Sequence, residues 1–357
     1  MIPSIKDAEV AGKRVLVHTD FDVPLKDGMV ADDTRIKAAL PTLNLLSEKN
    51  AASIVIISKL GRPGGRAVEA LRMAPVRARL AELIDTARIE VKENLRFDPR
   101  EEKNDDSFAQ ELAKLGDIFV NEAFADSHRP HASIVGIPNY LPSYAGLHFE
   151  LEVEKLSESL MPPPHSVAII GGAKFETKEP LLQKLLTRFE AVFLGGALGN
   201  NLLKSRGLPV GTSLTADLGV PTVLASDMRL MQPRDVAVVS EHGARYTNTA
   251  DVRLQERIVD IGPKTAKEWS DKISHAPFVL WNGPLGMYEA GYTHGTDALA
   301  HALAGGSARA VVGGGDTVAA LKKFSFDEER VFLSTAGGAM LQFLIEGTLP
   351  GIEALKK

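Results

Sequence analysis

The sequence predicts an α/β protein in two halves, each a parallel sheet flanked by helices. Three observations predict it. Short apolar runs alternate with segments of helical period from end to end, the pattern of βαβ units and parallel sheets. Glycine-bearing turns follow five of the apolar runs. Near the middle, a helical stretch over 149–160 runs into Met161-Pro162-Pro163-Pro164, and prolines in series end a helix and mark a domain junction. The 357 residues also suit about two domains, each burying its own core.

In the first half, residues 14–19 form an apolar strand that runs into Asp20-Phe21-Asp22-Val23-Pro24. Asp32-Asp33-Thr34-Arg35 starts a helix with acidic residues where the dipole favours them, and Ile36, Leu40, Leu43 and Leu46 continue it at helical spacing. A second strand over 53–58 ends in Lys59-Leu60-Gly61-Arg62-Pro63-Gly64-Gly65, and helical pattern returns over 68–83. A third strand, 89–92, leads into Glu93-Asn94-Leu95-Arg96-Phe97. The polar stretch 101–106 suits a surface loop and helix cap, followed by a short helix. A strand over 117–120 then ends in the run 121–131, which carries Arg129.

The second half opens with a strand over 165–170 that turns through Gly171-Gly172-Ala173-Lys174-Phe175-Glu176-Thr177-Lys178 into a helix. A glycine turn entering a helix presents free backbone N–H groups at positive potential, and two lysines add mobile cations, so the stretch favours a phosphate. Further strands over 191–194, 278–281, 310–312 and 331–333 end at Gly195-Gly196, Asn282-Gly283-Pro284, Gly313-Gly314-Gly315-Asp316-Thr317 and Gly337-Gly338. Residues 207–234 are less regular, a strand follows over 235–239, and 259–265 leads into a helix. Glycine lets the backbone approach a ligand closely, which a nucleotide site needs. Asp316, at a strand end, is the carboxylate best placed for Mg²⁺, which takes one or two carboxylates plus phosphate oxygens and water.

Bulk properties narrow the function. Net charge is −5 with no basic block, so no nucleic-acid partner is suggested and any anion site must be a local cluster. The absence of cysteine excludes disulfides, thiolate nucleophiles and Cys-ligated metals. No apolar run approaches the ~20 residues a bilayer span needs, and no signal pattern opens the chain; no membrane partner and a cytoplasmic location are the expectations. Neither a Walker A string nor a complete G-x-G-x-x-G fingerprint occurs, since Val318 takes the last place of the latter. In the first half, Arg35 starts a helix while Arg62, Arg96 and Arg129 each follow a strand closely. Four forked cations so placed can converge on one crevice and suit a small, highly anionic ligand.

Taken together, Asp20-Phe21-Asp22-Val23-Pro24, Leu60-Gly61-Arg62-Pro63, Glu93-Asn94-Leu95-Arg96-Phe97, Gly171-Gly172-Ala173-Lys174, Trp281-Asn282-Gly283-Pro284 and Gly313-Gly314-Gly315-Asp316-Thr317 resemble phosphoglycerate kinase in order and end to end. The resemblance implies two Rossmann-like lobes joined by an interdomain helix. The expected divisions are a phosphoglycerate-binding domain over 1–148, a helix and linker over 149–164, a nucleotide-binding domain over 165–343, and a tail over 344–357 returning to the first domain. It implies reversible phosphoryl transfer from 1,3-bisphosphoglycerate to ADP with Mg²⁺, giving 3-phosphoglycerate and ATP, by a monomer whose hinge closure excludes water.

The implied triose set is Asp20, Phe21, Asp22, Arg35, Lys59, Leu60, Gly61, Arg62, Arg96 and Arg129, with Asp20 orienting the glycerate and Arg35 reaching the transferring phosphoryl group. The implied nucleotide set is Gly172, Ala173, Lys174, Lys178, Gly195, Gly196, Asn282, Pro284, Glu289, Gly314, Gly315, Asp316 and Thr317. In it Lys174 is the catalytic lysine, Lys178 and Thr317 contact phosphate, Glu289 contacts ribose, Gly195, Gly196 and Pro284 wall the base and sugar, and Asp316 faces the metal. Gly337 and Gly338, at a helix start, would add positive potential. Removing Lys174 is expected to lower turnover, and removing Lys178 to weaken nucleotide binding.

The chain departs from the family pattern in four places. Asp22 replaces a usual Asn, Lys59 a His, His18 an Arg, and Ala336 the first glycine of a glycine run, where it is expected to cost backbone freedom. An extra carboxylate beside an anion opposes binding, so Asp22 and Lys59 are expected to act as a compensating pair. A kinase-like binding or regulatory protein that no longer turns over is the alternative these changes leave open.

Overall fold

The structure, a computed structural model, describes residues 2–172, 178–216 and 219–356. Two compact units divide the chain: Met1–Glu154 with Glu346–Lys357, and Lys155–Ile345. The helix Leu147–Glu158 runs across the division. Among the described residues no helix is long and apolar enough to cross a membrane.

The first unit is built on five parallel strands, in the spatial order Ile89–Val91, Ser53–Ile57, Arg14–His18, Ile118–Asn121 and Ser143–Ala145. The second has six, in the order Leu230–Met231, Ala191–Leu194, Val167–Ile170, Phe278–Asn282, Arg309–Gly313 and Val331–Leu333, again all parallel. Counted within each unit, the orders are 3-2-1-4-5 and 3-2-1-4-5-6, the doubly wound arrangement. These strands are apolar on both faces because helices cover both: Val15 and Val17 face one core cluster and Leu16 another. In each sheet the strand order reverses between the first strand and the fourth, and a crevice opens there at the carboxyl ends.

Three local differences from the sequence reading have physical reasons. The helical pattern over 68–83 resolves into a short 3₁₀ turn, Glu69–Leu71, and a helix, Ala74–Ala81, because Pro75 is tolerated only in a first turn. Within the irregular region lie a one-turn helix, Thr222–Ala225, and the edge strand Leu230–Met231. A separate antiparallel sheet, with Asp235–Ser240 between Gly243–Asn248 and Arg257–Ile261, precedes the fourth strand of the second unit.

The start of the helix Leu147–Glu158 is capped by side chains from elsewhere in the first unit. Thr42 Oγ1 accepts the Leu147 N–H at 2.8 Å and donates to Glu122 Oε1 at 2.6 Å, and the Glu122 carboxyl accepts His148 N–H and Phe149 N–H at 3.1 and 3.2 Å. Gly146 makes room for this, since a Cβ there would lie 1.9 Å from Glu122 Oε2. Burial pushes Glu122 up from its ordinary 4.5 to about 8, against those hydrogen bonds, which pull it down. Between these values the folded chain keeps a proton that the unfolded chain has released, so the contribution to stability falls as pH rises through that window. Glu122→Gln is therefore expected to flatten the decline in melting temperature from pH 5 to 8; superimposable pH profiles for the two proteins would contradict this.

The segment after Glu346 packs back on the first unit. Its helix, Pro350–Leu355, buries Ile352 and Leu355, with Leu349 just before it. Gly351 N–H donates to Ser127 O at 2.8 Å, and a Cβ on Gly351 would lie 2.5 Å from the Ser127 side chain.

Candidate functional site

Loops after four strands of the first unit gather its charged residues, and all but Arg62 enter one network of hydrogen bonds and ion pairs. Arg35, in the first turn of the helix Thr34–Glu48, places Nη1 3.0 Å from Asp20 Oδ2 and donates to Asp22 O at 3.1 Å. Asp22 Oδ1 accepts the Gly61 N–H at 2.8 Å, and Gly61 O accepts Arg96 Nη1 at 2.8 Å. Arg96 is buried, with Nε 3.1 Å from Glu102; Arg62 is exposed; Arg129 Nη1 lies 3.7 Å from Asp126. Phe21 and Leu60 sit in the hydrophobic core, where they fix the two loops rather than present side chains to a ligand.

The altered positions meet in this network. Lys59 Nζ is 3.1 Å from Asp22 Oδ2, 2.9 Å from Asp126 Oδ1 and 3.6 Å from Asp20 Oδ1. Burial pulls the Lys59 ammonium down, but Asp126, Asp20 and Asp22 together outweigh it and hold the group above its ordinary value. Burial likewise pushes Asp22 up, and Lys59 together with the Gly61 N–H more than compensates. His18 is buried and, through desolvation above all, lowered to about 4. It is neutral at pH 7, and neither ring nitrogen has a hydrogen-bond partner among the described residues. The cationic charge therefore resides at position 59 rather than 18.

The crevice of the second unit is made of strand-end glycines. Gly171 and Gly283 end the two central strands so close together that a Cβ on Gly171 would lie 2.0 Å from Pro284 O, and one on Gly283, at φ +100°, 2.4 Å from the Gly171 backbone. Side chains larger than hydrogen would push these turns apart. Lys178 is buried beside them and donates to Gly171 O at 2.6 Å and Asn282 Oδ1 at 2.9 Å. Desolvation lowers it to about 8, opposed by the charge of Asp316. Thr317 Oγ1 accepts the Gly283 N–H at 2.7 Å, leaving its own hydrogen to donate. Ala173 and Lys174 lie outside the described residues.

Next to these turns lies a cavity of about 590 Å³ lined by Gly172, Gly196, Pro284, Glu289 and Asp316. Gly195, Asn282 and Thr317 are buried behind its rim. Gly314, at φ +96°, caps the helix Gly315–Leu321 that carries Asp316 in its first turn. The cavity's apolar wall comes from Leu214, Val236, Ile258, Ile261 and Leu285, an apolar body with few polar groups at one end, as small-molecule sites have. Sequence reasoning missed the wall because three of these side chains stand on the antiparallel sheet, which no motif announces. Among the described residues no group of three or more His, Asp or Glu could hold a metal by itself. Asp316, exposed at the cavity's edge, fits a Mg²⁺ carried in with phosphate oxygens rather than a caged ion. In the glycine run, Gly337 takes φ +54° while Ala336 does not enter the left-handed region, so the expected cost at Ala336 does not arise.

Fold and crevices define a class: α/β proteins with two doubly wound units, one presenting a cationic strand-end network and the other a glycine-walled cavity. A family model described as phosphoglycerate kinase matches residues 5–347. The phosphoglycerate kinase of Roseiflexus sp. (strain RS-1) is 40% identical over 389 aligned positions, covering 99% of this chain and 98% of that protein. That of Moorella thermoacetica is 40% identical over 387, with the same coverage. The structure of phosphoglycerate kinase from Coxiella burnetii superimposes with a TM-score of 0.89 at 35% identity, over 100% of this chain and 99% of that one. The enzyme from Pyrococcus horikoshii OT3 gives 0.85 at 26%, over 99% and 98%. The chain belongs to the phosphoglycerate kinase family.

Proposed function

We propose that this chain catalyses reversible transfer of a phosphoryl group from 1,3-bisphosphoglycerate to MgADP, giving 3-phosphoglycerate and MgATP, as a cytoplasmic monomer. One observation carries the reading: a single chain of this family holds an arginine network at one switch point and a glycine-walled cavity with Lys178 and Asp316 at the other. The first suits a small polyanion and the second a nucleotide.

The triose is held by Arg62, Arg96 and Arg129, with Asp20 orienting the glycerate. The nucleotide's base and ribose enter the cavity beside Glu289, and its phosphates lie against the Gly171–Gly172 turn, Lys178 and Thr317. A terminal phosphate oxygen of ADP attacks phosphorus as the P–O bond to the acyl carboxylate breaks, and the carboxylate leaves with the electron pair. The attacking oxygen is already ionised, so no general base is needed; positioning and charge stabilisation do the work. Arg35 and Lys174 stabilise charge on the transferring group, and the helix start at Gly337–Gly338 adds its dipole. Mg²⁺, held by Asp316 and the nucleotide's phosphates, would neutralise their charge. A coupled assay of ATP formation from 1,3-bisphosphoglycerate and MgADP tests the proposal. Magnesium-dependent turnover is expected; nucleotide binding without turnover would overturn it.

A further inference from the structure

The contacts of Lys59 have a shape that a ligand-binding lysine does not need. Its ammonium follows the strand Ser53–Ile57, while Asp20 and Asp22 follow Arg14–His18 and Asp126 follows Ile118–Asn121. One buried cation thus ties together the carboxyl ends of three neighbouring strands. Each of its carboxylate partners has a second contact, with an arginine or the loop bearing one. Asp20 pairs with Arg35 at 3.0 Å, Asp22 holds the Gly61 N–H next to Arg62 at 2.8 Å, and Asp126 lies 3.7 Å from Arg129. Arg96 joins through Gly61 O. Arg35, Arg96 and Arg129 are therefore linked to the same ammonium by side-chain contacts, and the loop bearing Arg62 is held to it through Gly61.

That ammonium has little field left to offer an anion. Its side chain is 8% exposed and three carboxylates surround it. Asp126 is itself 2% exposed, and its Oδ2 has no hydrogen-bond partner among the described residues. Burying such a group is costly, and fixing geometry is the best-attested return for a buried ion cluster. We propose that Lys59 and Asp126 are positioning residues for the triose crevice: Lys59 sets the arginines through its carboxylates and does not itself hold the anion. This rests on the reading that the crevice takes phosphoglycerate.

Asp126→Asn separates positioning from simple electrostatics, because the two predict opposite signs. Removing a negative charge from an anion crevice would by itself tighten the ligand; loosening Lys59 and Arg129 weakens it. In calorimetric titration the Kd for 3-phosphoglycerate is expected to rise about tenfold, with the Kd for MgADP unchanged and kcat at saturating triose within about threefold. A Kd for 3-phosphoglycerate that falls or stays put overturns the proposal. In Lys59→Met, Asp126 has no ammonium left to hold and keeps only its 3.7 Å contact with Arg129, so adding Asp126→Asn is expected to raise the Kd no more than about twofold further. An independent tenfold loss in that background overturns the proposal as well. If Lys59→Met does not fold, Asp126→Asn, nearly the same shape as the original, decides alone. Absence of 3-phosphoglycerate binding to the unsubstituted chain overturns the reading of the crevice and the proposal with it; lack of the effect in the variants alone overturns only the proposal.

Discussion

Replacing Arg35 with methionine is expected to lower turnover about a thousandfold while leaving MgADP affinity within about twofold. Nη1 is fixed by the Asp20 carboxylate and Asp22 O, so the guanidinium is oriented before any ligand arrives. Its side chain remains 33% exposed, which leaves the rest of the fork available to phosphoryl oxygens. An arginine placed against a transferring phosphoryl group contributes on the order of 10³–10⁵ in rate; the lower end is appropriate where other cations share the charge. Arg35→Lys is expected to recover only part of the loss, because an ammonium lacks the planar fork. Steady-state kinetics varying both substrates checks this. A rise in KM for the triose with kcat nearly intact would place Arg35 among the ground-state ligands instead.

Lys178 supplies the second large effect. Its ammonium is confined by Gly171 O and Asn282 Oδ1, and desolvation brings it down from its ordinary 10.5 to about 8. A lysine lowered in this way is charged below about pH 8 and loses its charge above it. The Kd of ADP is therefore expected to be flat at neutral pH and to climb above pH 8, approaching about tenfold per pH unit. Lys178→Met is expected to weaken ADP binding about a hundredfold at pH 7 and to abolish the alkaline rise. Calorimetric titration from pH 6.5 to 9.5 measures both. An alkaline rise that survives the substitution would assign it to another group. The same shift has a consequence for folding: between about 8 and 10.5 the unfolded chain binds the proton that the folded chain has shed, so this lysine contributes increasing stability as pH rises through that window.

Much of this was legible in the sequence for a simple reason. Parallel strands covered on both faces must be continuously apolar, so Val167–Ile170 or Phe278–Asn282 can be found without tertiary information, and the crevice loops are the residues immediately after them. The pairing of Asp22 with Lys59 was legible from charge balance, and the structure places them 3.1 Å apart. Asp126 was not, because nothing local distinguishes it from any polar loop residue; its importance arises only when the strand Ile118–Asn121 is laid beside Arg14–His18. The antiparallel sheet escaped for a different reason. Gly243–Asn248 is largely exposed, so it has no apolar alternation to read, yet its neighbours carry Val236, Ile258 and Ile261 into the cavity wall. The apparent helix over 68–83 misled because its period continues across Pro75, where the backbone cannot.

The return of the C-terminal segment to the first unit also sets an order of events during synthesis. The whole of the second unit lies between Glu154 and Glu346. At translation speeds of 5–20 residues per second, roughly 10–40 s separate the emergence of the main body of the first unit from that of the helix that completes it. Throughout that interval the surface around Ser127 and Ile134, which Gly351 will cover, stays open to water, next to the loop that bears Arg129. The half of the molecule made first is thus finished last, and the nascent chain passes through a stage in which the second unit can be complete while the first still waits for its seal.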